Sequence, residues 1–278
     1  MESRVCLFCL QDSSTSVSVE HIVPESLGNT TLVLPPGLVC DRCNNYFARK
    51  VEGPFLNSPA ILALRHLEGV QNKRGRIPGM DVVLGNGIPG RLERHPALKI
   101  PFSLDVSATD AAWLTKNPGA WPTCASFPSP DRPDPTRDVA RFLAKAGLEH
   151  LVHRNLDFPE GLESIFGAPE LEPCRRFARY GEGPKHWGVR VERIYDADHL
   201  FEENLPDDQR VWEMDLLIPD DRESAFFAMS IFGLELAINL IGPDLGSYDR
   251  WRALARAPSL LYPEGVPVDL REQQNPGS

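Results

Sequence analysis

The chain of 278 residues is 42% hydrophobic and 24% charged, which suits one small module plus one larger domain and excludes wholesale disorder. Its net charge of −10 excludes a generally basic, nucleic-acid-coating protein, because phosphate binding is driven by cations that release counterions. The acid lies late: residues 1–76 hold 8 Lys+Arg and 7 Asp+Glu, net +1, and the remaining 21 and 32 give residues 77–278 net −11.

The N-terminus shows no basic-then-apolar leader, and the longest apolar stretch, residues 225–242, is broken by Ser230, Gly233, Glu235 and Asn239. That stretch reads as paired core strands rather than a membrane span, and the expected location is cytoplasmic. In a reducing compartment six cysteines do not make a disulfide framework. Four of them form two C-x2-C pairs, Cys6/Cys9 and Cys40/Cys43, which points to metal. Cys124 and Cys174 lack a partner at ligand spacing and read as packing or loop thiols.

In chain order, the first knuckle leads through a Ser/Thr-rich turn to the alternation of "VSVEHIV", a short strand through Val17, Val19 and His21. "TTLVLPPGLVC" supplies a second short extended segment, interrupted by Pro35 and Pro36. From Cys43 the spacing is helical, with Phe47 and Val51 on one face. Ser58 and Pro59 start a helix over 58–69, and a basic glycine-bearing loop carries Lys73, Arg74 and Arg76. Strands are expected in "MDVVLG" and "LKIPFSLDV" within 80–106, and a proline-rich surface excursion over 117–135. Residues 134–155 make the clearest helix, with Asp134 as cap, Pro135 at the first position, and Val139, Phe142, Leu143, Ala146 and Leu151 as its apolar stripe. "HWGVRVERIY" and "RVWEMDLLI" read as further strands, and "EGLE" and "LFEEN" as acidic surface. The fold class is therefore α+β, a ββα unit with a built-in zinc ribbon over residues 1–76 and a larger mixed α+β domain over 77–278.

Cys6, Cys9, Cys40 and Cys43 supply the four thiolates of a tetrahedral structural zinc, pinning both ends of a strand–loop–strand excursion too small to fold on its own core. Between the knuckles stands "VEHIVPESLGN", and directly after the last cysteine, "NN". This order, C-x2-C, E-H-I-V-P-E-S-L-G-N, then V-C-D-R-C-N-N, resembles the HNH endonuclease family, in its zinc-ribbon branch with a ββα-metal core, over about the first 52 residues. The resemblance implies that His21 is the general base that deprotonates a water for attack on phosphorus. It implies further that Glu20 and Asn44 hold a catalytic divalent ion, Mg²⁺ or another hard cation, and that the substrate is nucleic acid, with DNA expected.

The chemistry agrees: an imidazole neutral near pH 7 suits a base, and carboxylate and amide oxygens suit a hard cation while thiolates take the zinc. Adjacent strand residues face opposite ways, so Glu20 and His21 require a strand end or bulge. The family's usual acid is Asp, and Glu20 is one methylene longer. Asn29 is read either as a brace for the loop or as an αL turn residue after Gly28. Arg49, Lys50, Lys73, Arg74 and Arg76 are the candidate phosphate contacts, with a solvated charge run as the alternative. His150 and His153 lie three apart on the long helix without a further ligand at fixed spacing. The rival to a nuclease is a catalytically inactive zinc module acting as a nucleic-acid or protein binding platform. A homo-oligomer or a protein partner through the C-terminal domain stays open, and no membrane is expected.

Overall fold

The computed structural model describes residues 5–95, 102–121, 124–126, 132–201, 210–219 and 223–270. The elements run in the order β1 (Glu20–His21), β2 (Val33–Leu34), α1 (Asp41–Phe47), a π-helical turn (Ala48–Glu52), α2 (Gly53–Leu56), α3 (Pro59–Leu67), β3 (Met80–Leu84), β4 (Pro89–Arg94) and β5 (Phe102–Val106). They continue as α4 (Ala108–Lys116), β6 (Ala125–Ser126), α5 (Arg137–His153), α6 (Pro159–Gly167), α7 (Glu172–Tyr180), β7 (Val189–Arg193), β8 (Trp212–Leu217), β9 (Phe226–Ile231), β10 (Leu234–Asn239) and α8 (Gly246–Ala255). The class is α+β, with three antiparallel sheets among the described residues.

Two compact units emerge. The first joins residues 1–24, 29–55 and 134–278; the second holds 25–28 and 56–133. The knuckle segment closes its core with elements from the far end of the sequence, because two two-residue strands and a short helix cannot bury enough apolar surface themselves.

In the first unit a four-stranded sheet in the order β7–β10–β9–β8 is buried on both faces at its centre. The stretch over 225–242 forms the β9–β10 hairpin as expected, turning through Phe232 and Gly233, both at positive φ. Phe226 packs with Tyr248 of α8, whereas Phe227, its neighbour, packs against His150 of α5. Alternation along β9 thus binds a helix to each face. Gly147 explains the close approach of α5: a Cβ there would lie 2.9 Å from Phe227 and 2.8 Å from Leu240.

α5 is the central helix of this unit, packed against α7, β2, β9, β10 and the π-helical turn. Its expected apolar stripe is buried, but its cap is not Asp134: Thr136 occupies the N-cap and accepts the Val139 amide, and Pro135 precedes the helix. Thr136 wins because its hydroxyl is three residues before the amide it caps. The strand expected from Val17 shrinks to Glu20–His21, with Val17 and Val19 exposed.

In the second unit the order is β5–β4–β3–β6. β3 alternates strictly, burying Met80, Val82 and Leu84 against Ala63 of α3. Pro59 opens α3 as expected. Residues 25–28 belong here because buried Arg65 donates to the Ser26 carbonyl at 3.2 Å. Residues 98–101 of the expected second strand lie outside the described residues, as do much of the proline-rich 117–135 segment and residues 202–204 of "LFEEN". No described helix is long and apolar enough to cross a membrane.

Candidate metal and nuclease site

The first knuckle closes through the Leu10 amide onto the Cys6 carbonyl at 2.9 Å, with Leu10 at positive φ. The second sits at the start of α1, where Cys40 is the residue before the first turn. The four sulfurs lie within 4.8 Å of one another, with Cys9 and Cys40 Sγ 3.7 Å apart. A tetrahedral zinc with Zn–S bonds of about 2.3 Å puts its sulfurs about 3.8 Å apart, so the donor set and spacing fit such a metal.

Two N–H donors reach the sulfurs. The Cys40 amide donates to Cys6 Sγ at 3.3 Å and Arg179 Nε of α7 donates to Cys43 Sγ at 3.1 Å. A hydrogen bond from Cys43 draws the Cys6 thiol down to about 5, and the same bond, with burial, pushes Cys43 up. Arg179 also lies over the Tyr46 ring at 3.9 Å, and Arg141 of α5 donates to the Tyr46 hydroxyl at 2.8 Å. Cys174 is a buried packing residue of α7 and Cys124 an exposed loop thiol.

Glu20 and His21 sit on the two-residue β1, paired with Leu34 and Val33 of β2. Alternation turns Glu20 inward and leaves His21 half-buried. Asn29 braces the connecting loop: its amide nitrogen donates to the carbonyls of Val23 at 2.7 Å and Leu32 at 2.8 Å, and its oxygen accepts the amides of Thr31 and Leu32. The positive φ at this turn belongs to Gly28. Asn44 is half-buried on α1 and donates its Nδ2 to the Val19 carbonyl at 2.9 Å, tying α1 to the residue just before β1 and leaving its Oδ1 as an acceptor. Asn45 bonds the Asp41 carbonyl within its own helix.

Inward from Glu20 lies a group that sequence spacing did not bring together. Lys145 of α5 has a side chain 0% exposed, and its Nζ lies 2.7 Å from Glu20 Oε1, 2.7 Å from Glu52 Oε1, 3.0 Å from Glu149 Oε2 and 2.7 Å from the His21 carbonyl. Burial raises the carboxyl of Glu20, opposed by Lys145, and raises that of Glu149 well above its ordinary value. Glu20 Oε2 is buried and has no hydrogen-bond partner among the described residues. The signal in the sequence was a Lys–Glu pair four apart inside an apolar helical stripe, where ordinary solvated charges do not belong.

Arg49 and Lys50 are exposed in the π-helical turn of the first unit. Lys73, Arg74 and Arg76 are exposed in the second unit, on a turn closed by Asn72, whose Oδ1 accepts the amides of Arg74 and Arg76. His150 and His153 stack with centroids 6.3 Å apart, and burial draws His150 down to about 4.

Residues 6–59 match the family model described as HNH endonuclease. The N-terminal segment with its four-cysteine cluster is thus an HNH-like module, as its motifs suggested. No curated protein matches the chain, and no solved structure does.

Proposed function

We propose that the protein is a metal-dependent endonuclease that hydrolyses phosphodiester bonds of nucleic acid, DNA in the first place, with His21 as general base. The observation that carries this reading is the position of His21: half-buried on the strand between two cysteine knuckles, inside the residues that match HNH endonucleases. Neutral imidazole takes a proton from water, and the resulting hydroxide attacks phosphorus in line with the departing 3′ oxygen. Asn44 holds the residue before β1 and Asn29 braces the loop between β1 and β2, on either side of the base.

Asn44 Oδ1 and Glu20 Oε2 are the oxygens for a hard divalent ion such as Mg²⁺, and the orphaned, buried Oε2 fits that assignment. When bound, such an ion would neutralise charge on the phosphoryl and leaving oxygens. Cys6, Cys9, Cys40 and Cys43 hold a structural zinc. Arg49, Lys50, Lys73, Arg74 and Arg76 contact phosphates, and the remaining chain serves targeting, assembly or regulation. A cytoplasmic location suits the unpaired thiols.

A catalytically inactive binding platform is the second reading. One observation favours it: the Glu20 carboxylate faces Lys145 in the interior rather than the His21 side of the strand. Incubation of the full chain with plasmid, single-stranded DNA and RNA in Mg²⁺, Mn²⁺ or chelator decides between them. Cleavage of at least one substrate that stops with chelator supports the nuclease; binding without cleavage under any metal supports the platform.

A further inference from the structure

β1 is held to β2 by only two residue pairs, so its own ladder gives little rigidity to the strand that carries His21. Beyond the holds of Asn29 and Asn44, a further one comes from 124 residues away: the Lys145 ammonium bonds the His21 carbonyl at 2.7 Å and pairs with Glu20 Oε1 at 2.7 Å, gripping two consecutive residues of β1 at once. An ammonium has three N–H donors; Glu52 Oε1 accepts a further bond from it at 2.7 Å, and Glu149 Oε2 lies 3.0 Å away as an ion-pair neighbour. All of this lies in one compact unit. The lysine is itself locked, since α5 packs on β9, β10 and α7, and Gly147 allows the helix to sit against Phe227 and Leu240.

Three carboxylates round one cation is a poor arrangement for stability alone, because like charges are desolvated together. It is a good arrangement for aim. With Oε1 committed to Lys145, the other oxygen of Glu20 has one orientation and no hydrogen-bond partner among the described residues.

We propose that Lys145 is a positioning residue for the nuclease site: by holding the His21 carbonyl and Glu20 Oε1 together, it fixes the imidazole and directs Glu20 Oε2. The proposal rests on the reading of His21 as general base. It makes α5 part of the site, so the module matched by residues 6–59 is incomplete without the helix at 137–153.

The test uses the full chain in three variants. Lys145→Arg keeps the cation but moves its donors, Lys145→Met removes them, and Lys145→Met with Glu20→Gln removes both charges so that no unpaired carboxylate at position 20 opposes folding. Zinc content, melting curves, single-turnover cleavage at saturating substrate, and the ring resonances of His21 are measured for each. For Lys145→Arg the expectation is wild-type zinc content and substrate affinity, shifted His21 ring signals, and a single-turnover rate about 10²-fold lower, the penalty typical of slight misplacement. The double variant is expected to melt closer to wild type than Lys145→Met while cleaving no faster.

Wild-type cleavage by Lys145→Arg with unmoved His21 signals overturns the proposal, and so does a rate loss that merely follows the unfolded fraction. If the wild-type protein cleaves nothing, the nuclease reading fails separately. The His21 resonances then decide: a shift in Lys145→Arg upholds the grip on the strand, and no shift overturns it.

Discussion

The thiol cluster and the carboxylate cluster of the first unit are built by opposite routes. Cys6, Cys9, Cys40 and Cys43 come from two tight knuckles, each closed by local backbone hydrogen bonds, and they meet because the chain between them leaves and returns. The groups round Lys145 come from β1, the π-helical turn and α5, and meet only because α5 packs there. The first is soft, local and suited to hold a metal such as zinc; the second is hard, long-range and holds its excess charge through one ammonium. A metal held by the first cluster would join two short segments directly, whereas the second cluster requires the rest of the unit to be folded first.

The largest expected effect breaks the first cluster. Cys43→Ser removes a thiolate and the acceptor of Arg179, and apparent binding free energies of structural zinc are of the order of 10 kcal/mol. Metal analysis should find about one zinc per chain in the wild-type protein and a clear loss in the variant, with amides of residues 5–47 exchanging freely. Full protection in a metal-free variant would show that packing, not metal, closes the knuckles.

The thiol cluster and the ββα order were legible because both are short-range: C-x2-C spacing, the E-H pair and the Asn after the last cysteine sit in fixed local frames. The β9–β10 hairpin was legible from apolar runs with Gly233 at the turn, and α5 from its stripe. The meeting of Lys145 with Glu20 was not, since a contact between them leaves no periodicity in either segment. The N-cap of α5 went to Thr136 rather than Asp134 because both residue types cap well and only backbone geometry chooses. The role of Asn29 was half legible: the turn was recognised, but the choice between brace and αL residue depended on φ.

A smaller effect sharpens the contrast within α5, which buries a cation with partners at 145 and a base without them at 150. His150 Nδ1 and Nε2 have no hydrogen-bond partner among the described residues, and burial, helped by Arg154 and His153 and opposed by Asp215, lowers its pKa to about 4. The native state therefore refuses a proton that the unfolded chain accepts below about pH 6.5. Stability from this residue is full above that pH and is lost as pH falls towards about 4, by the order of 3 kcal/mol. His150→Leu should flatten denaturant midpoints over that window. An unchanged pH slope would show that another group controls it.

The smallest expected effect lies outside both clusters. Neutralising Lys73, Arg74 and Arg76 should weaken nucleic-acid binding and reduce its salt slope by roughly one unit per lost phosphate contact. An unchanged slope would return these exposed side chains to ordinary surface.

The central claim is that His21 supplies the base and Asn44 helps hold a divalent ion, both within the module that matches HNH endonucleases. It is tested most directly by cleavage rates of wild type, His21→Ala and Asn44→Ala across a Mg²⁺ and Mn²⁺ titration. His21→Ala should cleave roughly 10² to 10⁴-fold more slowly at every metal concentration with zinc content and melting unchanged, whereas Asn44→Ala should recover in part at high metal. Equal rates for His21→Ala and wild type, or no cleavage by wild type under any metal, would contradict it.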